Sequence, residues 1–526
     1  VNQRRVERLI AGHPGVREVY VYGTVHSGEE QVCAAVVLAP GTSIQDIAGF
    51  CREQGLRGYE VPHRFHVMDR LPRSPMGKVD RQRVVAAARD GGGGNGQRVA
   101  VVGLGYVGLT LAVSLARAGA SVVGVEADPR VREALAARRP QLYEPGIAEL
   151  LRELPAERLT VTDVLPETPL HAVVICVGTA VDPRTRRPDL RHLRAAVTGV
   201  AERIAPDTLV VVRSTVPVGT SRQLVYEKLA ERIARPLLAF CPERTIQGRA
   251  LTELAALPQV IGGIDERSVR RAQELFAPVA ADQVCVSTVE CAELVKLACN
   301  SHTDLIYGFG NELAMLSEAL GVDGNEVIAA ANLRYPRPDL CRPGYVGGSC
   351  LTKDPYLLIH AAEEAGYHPR MVSAARRVNE RVPLVAVDQV LKALAALGRP
   401  AGDAKVLVCG IAYKGSPVTD DVRGSAAVEV ARALRHRVGA LAGHDYVVDP
   451  AAVEAVGYSP GTLVDGLRGA DALVLLVDHP RYPEELTAAL VRGNMRLPAI
   501  VFDMWGVLAP ELSGHPDVEY RRLGRG

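Results

Sequence analysis

Arg98-Val-Ala-Val-Val-Gly103-Leu-Gly105-Tyr106-Val107-Gly108 decides the fold: an apolar run that reads as a buried strand, a glycine-spaced turn, and the start of a helical stretch over 109–118 that Gly119 stops. A second strand-like run, 121–125, ends on Glu126. Strand, glycine turn, helix and strand in that order open a dinucleotide-binding βαβ unit. Gly103 permits the tight turn, Gly105 lets a pyrophosphate approach the backbone, and Gly108 packs helix on strand, with Tyr106 and Val107 at the helix N-terminus that faces the phosphates. Glu126, eighteen residues after Gly108, is placed to accept hydrogen bonds from the adenosine ribose diol, and its charge repels a 2′-phosphate. The expected cofactor is NAD rather than NADP. A glycine turn that holds no nucleotide is the plainer alternative.

Outward from this unit, short apolar runs at 171–177, 208–212 and 236–240 alternate with helical stretches, the rhythm of a parallel sheet with crossover helices. Residues 97–285 are expected to form an NAD-binding Rossmann domain. Over 290–320 the period becomes helical (Leu294, Leu297, Ala298, Leu305, Leu313, Leu316, Leu320), with Gly308 and Gly310 as candidate bending points. Residues 286–398 thus read as a helical central and dimerisation domain. A second α/β rhythm, at 405–409, 427–434, 472–477 and 500–503, marks 399–526 as a further Rossmann-like domain. Before the glycine-rich linker at 91–96, residues 1–90 alternate short helices and strands, a small α+β unit. The expected fold class is α/β: two Rossmann-like doubly wound domains joined by a long helical segment and preceded by a small α+β domain.

Bulk properties narrow the function. With 526 residues, several cores are expected. Charge is balanced, 61 Lys+Arg against 60 Asp+Glu, which removes the electrostatic reason to expect nucleic acid or a membrane surface as partner. Ten cysteines with no C-x-x-C pair argue against a disulfide framework and a zinc cage, so no metal is expected. No apolar run approaches the ~20 residues that span a bilayer, and the polar N-terminal residues do not read as a signal peptide. A cytoplasmic location is expected.

Val346-Gly347-Gly348-Ser-Cys350-Leu-Thr-Lys353-Asp354 sets a thiol behind two glycines, with a lysine and a carboxylate three and four positions on. Cys350 can be an ordinary core thiol. Its neighbours offer a different reading: the glycines leave room for a substrate, backbone N–H groups can hold an oxyanion, and Asp354 can handle a proton or position water. Lys296 and Asn300, four apart, share one helix face. An ammonium near a thiol favours the thiolate and stabilises charge on a substrate oxygen, though a solvated surface helix would read alike. Lys414 and Arg423, in Gly410-Ile-Ala-Tyr-Lys414-Gly and Asp420-Asp421-Val-Arg423, suit a diphosphate or a solvated turn equally.

Taken together these residues resemble the UDP-glucose/GDP-mannose dehydrogenase family. The motifs fall in the family's order from Val101: the glycine fingerprint, Glu144-Pro-Gly, Ile175-Cys-Val-Gly-Thr179, Ser214-Thr215-Val-Pro-Val-Gly-Thr220, Ala292-Glu-Leu-Val-Lys296 with Asn300, the Cys350 motif, and Ile411-Ala-Tyr-Lys414 with Asp420-Asp421-Val-Arg423. The resemblance implies oxidation of C6 of a UDP-sugar to a carboxylate with two NAD per turnover. Cys350 would hold the intermediate as a thiohemiacetal and then a thioester, Asp354 would position the hydrolytic water, and Lys296 and Asn300 would stabilise the charged oxygen. It also implies that Thr179 and Thr215 line the nicotinamide side, and that Glu144, Arg244, Tyr345, Gly347, Lys353, Lys414 and Arg423 bind substrate.

Within that family, Cys241-Pro-Glu-Arg244 and Arg334-Tyr-Pro-Arg337 look like the pattern of enzymes acting on UDP-N-acetylmannosamine or UDP-N-acetylglucosamine, with UDP-glucose as the alternative. One departure is that 436–449 lacks a clean strand before Asp449-Pro450, which puts local geometry there in question. Residues 1–90 resemble instead the C-terminal subdomain of acyl-adenylate-forming enzymes, through His13-Pro-Gly-Val16, Tyr59-Glu-Val-Pro62 and Leu71-Pro-Arg-Ser-Pro-Met-Gly-Lys78. No adenylation is expected from this chain alone, and a docking or assembly role for that segment is the reading from another class. A two-electron dehydrogenase of the 6-phosphogluconate or hydroxyacyl-CoA kind shares the fingerprint but needs no cysteine. The long apolar stripe suits a homodimer or larger homo-oligomer.

Overall fold

Runs such as Arg98–Val102 and Leu209–Val212 carry apolar side chains on both faces, so they are stable only as strands covered on both sides. A computed structural model describes residues 97–280, 282–335 and 339–525 and, of the first 96, residues 3–26, 29–39, 42, 44–56, 61–62, 64–68, 70–73, 79–80 and 84. The linker at 91–96, Lys78 and Arg337 lie outside the described residues.

The N-terminal unit has strands β1 (Val16–His26), β2 (Glu29–Leu38) and β3 (Arg64–Val67), with β1 antiparallel and β3 parallel to β2. The next sheet takes β4 (Arg98–Val102), β5 (Ser121–Val125), β6 (Leu159–Thr162) and β7 (Ala172–Ile175). After a small hairpin, β8 (Ala180–Val181) and β9 (Pro188–Asp189), it continues with β10 (Leu209–Val212), β11 (Leu237–Phe240), β12 (Gln259–Gly263) and β13 (Gln283–Val286). Its order is β13-β12-β11-β10-β7-β4-β5-β6. Strand order reverses at β4, and the crevice outside its carboxyl end is where such sheets bind ligands. Alternate residues of β4 feed two cores: Val99 and Val101 pack under the Tyr106–Arg117 helix, while Ala100 packs with Leu193 and Val197 of the Arg191–Arg203 helix.

The C-terminal sheet repeats the plan with β14 (Lys405–Cys409), β15 (Ala440–His444), β16 (Ser459–Pro460), β17 (Ala472–Leu475), β18 (Ala499–Asp503) and β19 (Val518–Arg522), all parallel, in the order β16-β15-β14-β17-β18-β19. Between the two sheets lie the 31-residue helix Val289–Ala319 and the 27-residue helix Arg370–Ala396.

Three expectations change. β12 runs antiparallel to β11, because the seven-residue helix Ala250–Ala256 rises only about 10 Å and the chain re-enters from the opposite end. A regular strand, β15, does occupy 440–444, its small residues fitting under Tyr458: a Cβ on Gly443 would lie 2.7 Å from the Tyr458 side chain. Asp445, not Asp449, then follows the strand; Asp449 caps the next helix. Finally, the long helix is continuous through Gly308 and Gly310, and of the expected apolar stripe it buries Leu297 beside many polar residues (Glu293, Lys296, Ser301, Asp304, Asn311), whereas Leu294, Phe309, Leu316 and Leu320 are exposed.

The two glycines serve close packing. A Cβ on Gly308 would stand 2.9 Å from that of Ala375, and one on Gly310 would stand 2.4 Å from the Cys341 carbonyl oxygen. Gly310→Ala is expected to destabilise by about 1–3 kcal/mol. Gly199→Ala, in a helix where a Cβ meets nothing within 4 Å, should instead stabilise by up to about 1 kcal/mol. Calorimetric unfolding of the pair checks both signs.

Candidate active site

The glycine turn after β4 is shaped by its own packing at two positions and left open at the third. Gly103 has φ 89°, a left-handed conformation, and a Cβ on Gly108 would fall 1.8 Å from the Gly103 carbonyl oxygen. At Gly105 a Cβ would meet nothing within 4 Å. The Tyr106–Arg117 helix starts there with no side-chain cap and no acid in its first turn, so its leading N–H groups face that opening without a side-chain partner. Glu126 leans back over the turn, accepting the Leu104 N–H at 2.8 Å and the Asp128 N–H at 3.1 Å. Val107 is half-buried on the same turn. At the ends of β7 and β10, the Thr179 hydroxyl donates to the Thr215 carbonyl at 2.7 Å and the Ser214 hydroxyl to that of Val177 at 2.7 Å.

The long helix bolts this loop to the cysteine segment. Buried Glu293 accepts the Gly219 N–H at 2.5 Å and the Ser221 N–H at 2.7 Å. One turn on, Lys296 is only 8% exposed, which rules out the solvated-surface reading. Its charge helps hold the Glu243 carboxyl below its usual range, although burial pushes the other way and the main opposing influence is Arg213, paired with Glu243 at 2.5 Å. Another turn on, Asn300 Nδ2 donates to Asp354 Oδ2 at 2.5 Å. Lys353 Nζ takes the other oxygen of that fully buried carboxylate, also at 2.5 Å.

Cys350 is exposed on the short helix Gly348–Leu351 and lies near enough to Tyr413 and Arg423 to influence the titration of both. At Gly347 and Gly348 the segment before it meets the C-terminal unit with its backbone. The Gly348 N–H donates to the Gly424 carbonyl at 3.2 Å, a Cβ on Gly347 would sit 2.5 Å from that oxygen, and one on Gly348 (φ 88°) would sit 2.8 Å from the Tyr413 ring. Tyr345 is buried beside Gly347, and burial pushes its hydroxyl up to about 12. Lys414 Nζ donates to the Gln247 carbonyl at 2.7 Å, and burial pulls the amine down to about 8 against the pull of Glu144, Glu253 and Asp478. Arg423 forks onto Asp421 at 2.8 and 2.7 Å, and its guanidinium carbon lies 5.9 Å from the centre of the Tyr106 ring.

Two residues singled out from the sequence have backbone partners within the protein. Glu144 gives its oxygens to the N–H groups of Gly248 (2.7 Å) and Ala250 (2.8 Å), bracing that loop. Arg244 donates to the Pro258 carbonyl. Conversely, the sequence does not single out Asp420, which accepts from the Tyr106 hydroxyl, or Gln247, which donates to Asp421 at 3.2 Å. Their partners lie 314 and 174 residues away, beyond any periodicity.

Family models match residues 97–280 (UDP-glucose/GDP-mannose dehydrogenase family, NAD binding domain), 290–381 (central domain) and 407–510 (UDP binding domain). The chain belongs to the UDP-glucose/GDP-mannose dehydrogenase family. It is an NAD-dependent nucleotide-sugar dehydrogenase. The UDP-N-acetyl-D-mannosamine dehydrogenase of Pyrococcus horikoshii is 34% identical over 73% of this chain and 90% of its own length. The NDP-N-acetyl-D-galactosaminuronic acid dehydrogenase of Ralstonia solanacearum is 32% identical over 73% of this chain and 91% of its own length. Among solved structures, a UDP-D-ManNAc dehydrogenase from Pyrococcus horikoshii (TM-score 0.74, 31% identity) covers 82% of this chain and all of its own, and a UDP-glucose dehydrogenase from Pyrobaculum islandicum (TM-score 0.71, 31% identity) covers 82% of this chain and 99% of its own. Residues 5–78 match a separate family model, the AMP-binding enzyme C-terminal domain. No helix among the described residues is long and apolar enough to cross a membrane.

Burial raises the Glu293 carboxyl to about 7 despite its N–H partners. Because the folded pKa lies above the unfolded one, this contribution to stability is present below the unfolded value and is lost as pH rises through about 7, by on the order of 3 kcal/mol. The unfolding-temperature gap between the native chain and Glu293→Gln should therefore narrow as pH rises from 4.5 to about 7 and stay level above that. A gap that stays constant throughout would mean an ordinary carboxyl.

Proposed function

We propose that this dehydrogenase oxidises the C6 hydroxyl of a UDP-N-acetylhexosamine, UDP-ManNAc or UDP-GlcNAc, to the uronate in two two-electron steps, with Cys350 as covalent nucleophile. The observation that carries this reading is the Asn300–Asp354–Lys353 cluster, in which Asp354 stands four residues after an exposed thiol and Asn300 lies on the same helix as buried Lys296. The chain fits NAD: the uncapped helix start and the open side at Gly105 match a pyrophosphate, with Glu126 beside them for the ribose and Thr179 and Thr215 for the nicotinamide side. When bound, NAD accepts one hydride in each oxidation.

The residues of the chain supply the rest. Lys296 and Asn300 stabilise the oxygen that gains charge on C6. Cys350 thiolate adds to the aldehyde carbon, forming a C–S bond and an alkoxide, so the half-oxidised sugar stays attached. The second oxidation turns this adduct into a thioester. Asp354 orients water onto the thioester carbonyl, the C–S bond breaks, and the sulfur leaves as thiolate with the acid as product. Lys414 and Arg423 provide cationic groups for the diphosphate, and Lys353 binds substrate beside Asp354. Glu144 and Arg244 act through the 241–250 loop, whose position they fix.

The acetamido sugar is supported by the Pro242-Glu-Arg244 pattern and by the names of the relatives above. UDP-glucose is the second reading, supported by the likeness to the Pyrobaculum islandicum enzyme. Phe309 (56% exposed), Leu316 (52%) and Leu320 (67%) form an apolar face on the long helix that a second copy of the chain would cover.

Supplied with NAD and each of the three UDP-sugars, the protein should make uronate and two NADH per sugar from an acetamido substrate; acid from UDP-glucose alone would select the second reading. Cys350→Ser should form at most traces of aldehyde and no uronate, and undiminished acid would sink the covalent route. Light scattering should show Leu316→Glu combined with Leu320→Glu at a smaller mass than the native assembly, and an unchanged mass would remove that face as the interface.

A further inference from the structure

The segment that carries Cys350 is held at both ends by one buried chain of polar side chains that the family motifs do not include. At its start, Gly344 is clasped by Asn311 on the long helix: the Gly344 N–H donates to Asn311 Oδ1 at 2.8 Å, and Asn311 Nδ2 donates to the Gly344 carbonyl at 2.9 Å. Asn311 Nδ2 also donates to Asn379 Oδ1 at 2.8 Å. Asn379 Nδ2 in turn donates to the Asp304 carbonyl and to Asp304 Oδ1, both at 2.8 Å. Arg376 closes the circuit: its Nη1 donates to Asp304 Oδ1 at 2.5 Å and to the Leu351 carbonyl at 2.6 Å. Leu351 is the residue after Cys350. From Gly344 through Asn311, Asn379, Asp304 and Arg376 to Leu351, the hydrogen bonds form a ring whose remaining arc is the 344–351 segment.

All four side chains are buried, none exposed beyond 2%. A buried ion pair such as Arg376–Asp304 gains little over apolar residues of the same volume, since desolvation offsets the attraction. Its value here is geometric. The middle of the segment, without side chains at 347 and 348, is tied to the C-terminal unit by the Gly348 N–H to Gly424 bond, and this ring fixes the two ends on either side of that tie. We propose that Asn311, Asp304, Arg376 and Asn379 are positioning residues that set where the Cys350 sulfur stands, and that their loss appears as failure to retain the half-oxidised sugar. The functional part of this inference rests on the covalent reading above; the geometric part does not.

The experiment uses the full chain and the variants Arg376→Met, Asn311→Ala, their combination, and Arg376→Lys. The first readout needs no substrate: the iodoacetamide alkylation rate of Cys350, followed by peptide mass mapping, with exposed Cys285 as internal reference and buried Cys409 as a report on unfolding. The expected result is a Cys350 rate, relative to Cys285, that departs from the native one in both Arg376→Met and Asn311→Ala, since moving the sulfur changes its exposure and the charges around it. Cys285 should react as in the native chain and Cys409 should stay protected. The double variant should be no worse than the worse single one, because the residues act as a unit, and Arg376→Lys should recover part of the native rate.

The second readout is turnover with a carbonyl trap present. Arg376→Met should release trapped aldehyde, fall below two NADH per sugar, and lose kcat for acid while KM for NAD stays within about twofold. An unchanged Cys350 rate in both single variants overturns the proposal, as does a KM rise with no aldehyde release. If even Arg376→Lys exposes Cys409, the ring is a stability element and the proposal fails. Failure of the covalent reading shows separately, as acid formation by Cys350→Ser, and leaves the alkylation result intact.

Discussion

Direct backbone contact between the Gly347-Gly348 pair and Gly424 is the constraint on which the rest depends. A Cβ on any of the three would meet a carbonyl oxygen or an aromatic ring at under 3 Å. With no side chain between them, the cysteine segment and the 410–425 segment of the C-terminal unit come as close as two chains can. Cys350, Tyr413 and Arg423 then share one small volume although they derive from separate parts of the chain.

Polar bonds carry the organisation outward from this contact. Each of the long helix's inward-facing turns engages a different part of the molecule: Glu293 the loop after β10, Asn300 the carboxylate of Asp354, and Asn311 the start of the cysteine segment. These bonds account for the polar residues that the helix buries, while Leu294, Leu316 and Leu320 stay exposed. Carboxylates buried against N–H donors act here as connectors between segments, with Glu144 holding Gly248 and Ala250 in the same way.

What could be read from the sequence is what depends on neighbours along the chain. The strand, glycine turn and helix at 98–117, the strand at 121–125 and the spacing of Lys296 and Asn300 follow from local pattern, and the structure has them. The direction of β12 was not legible, because an apolar run carries no sign of which end the chain enters. The strand at 440–444 escaped notice because its two alanines and Gly443, which packs against Tyr458, weaken the apolar signal. Glu144 carries the right chemistry for a ligand, but it accepts from backbone N–H groups 104 and 106 residues away, which only folding brings near.

The bond from the Tyr106 hydroxyl to Asp420 joins the first turn of the fingerprint helix to the segment that carries Arg423. A ligand that shifts Tyr106 must also act on Asp420, and a ligand that shifts Asp420 acts back on Tyr106 with equal free energy, since linkage between two binding equilibria is reciprocal. Were the oxidant to bear on Tyr106 and the sugar nucleotide on Asp420, this bond would couple them, each changing the affinity of the other by the same factor.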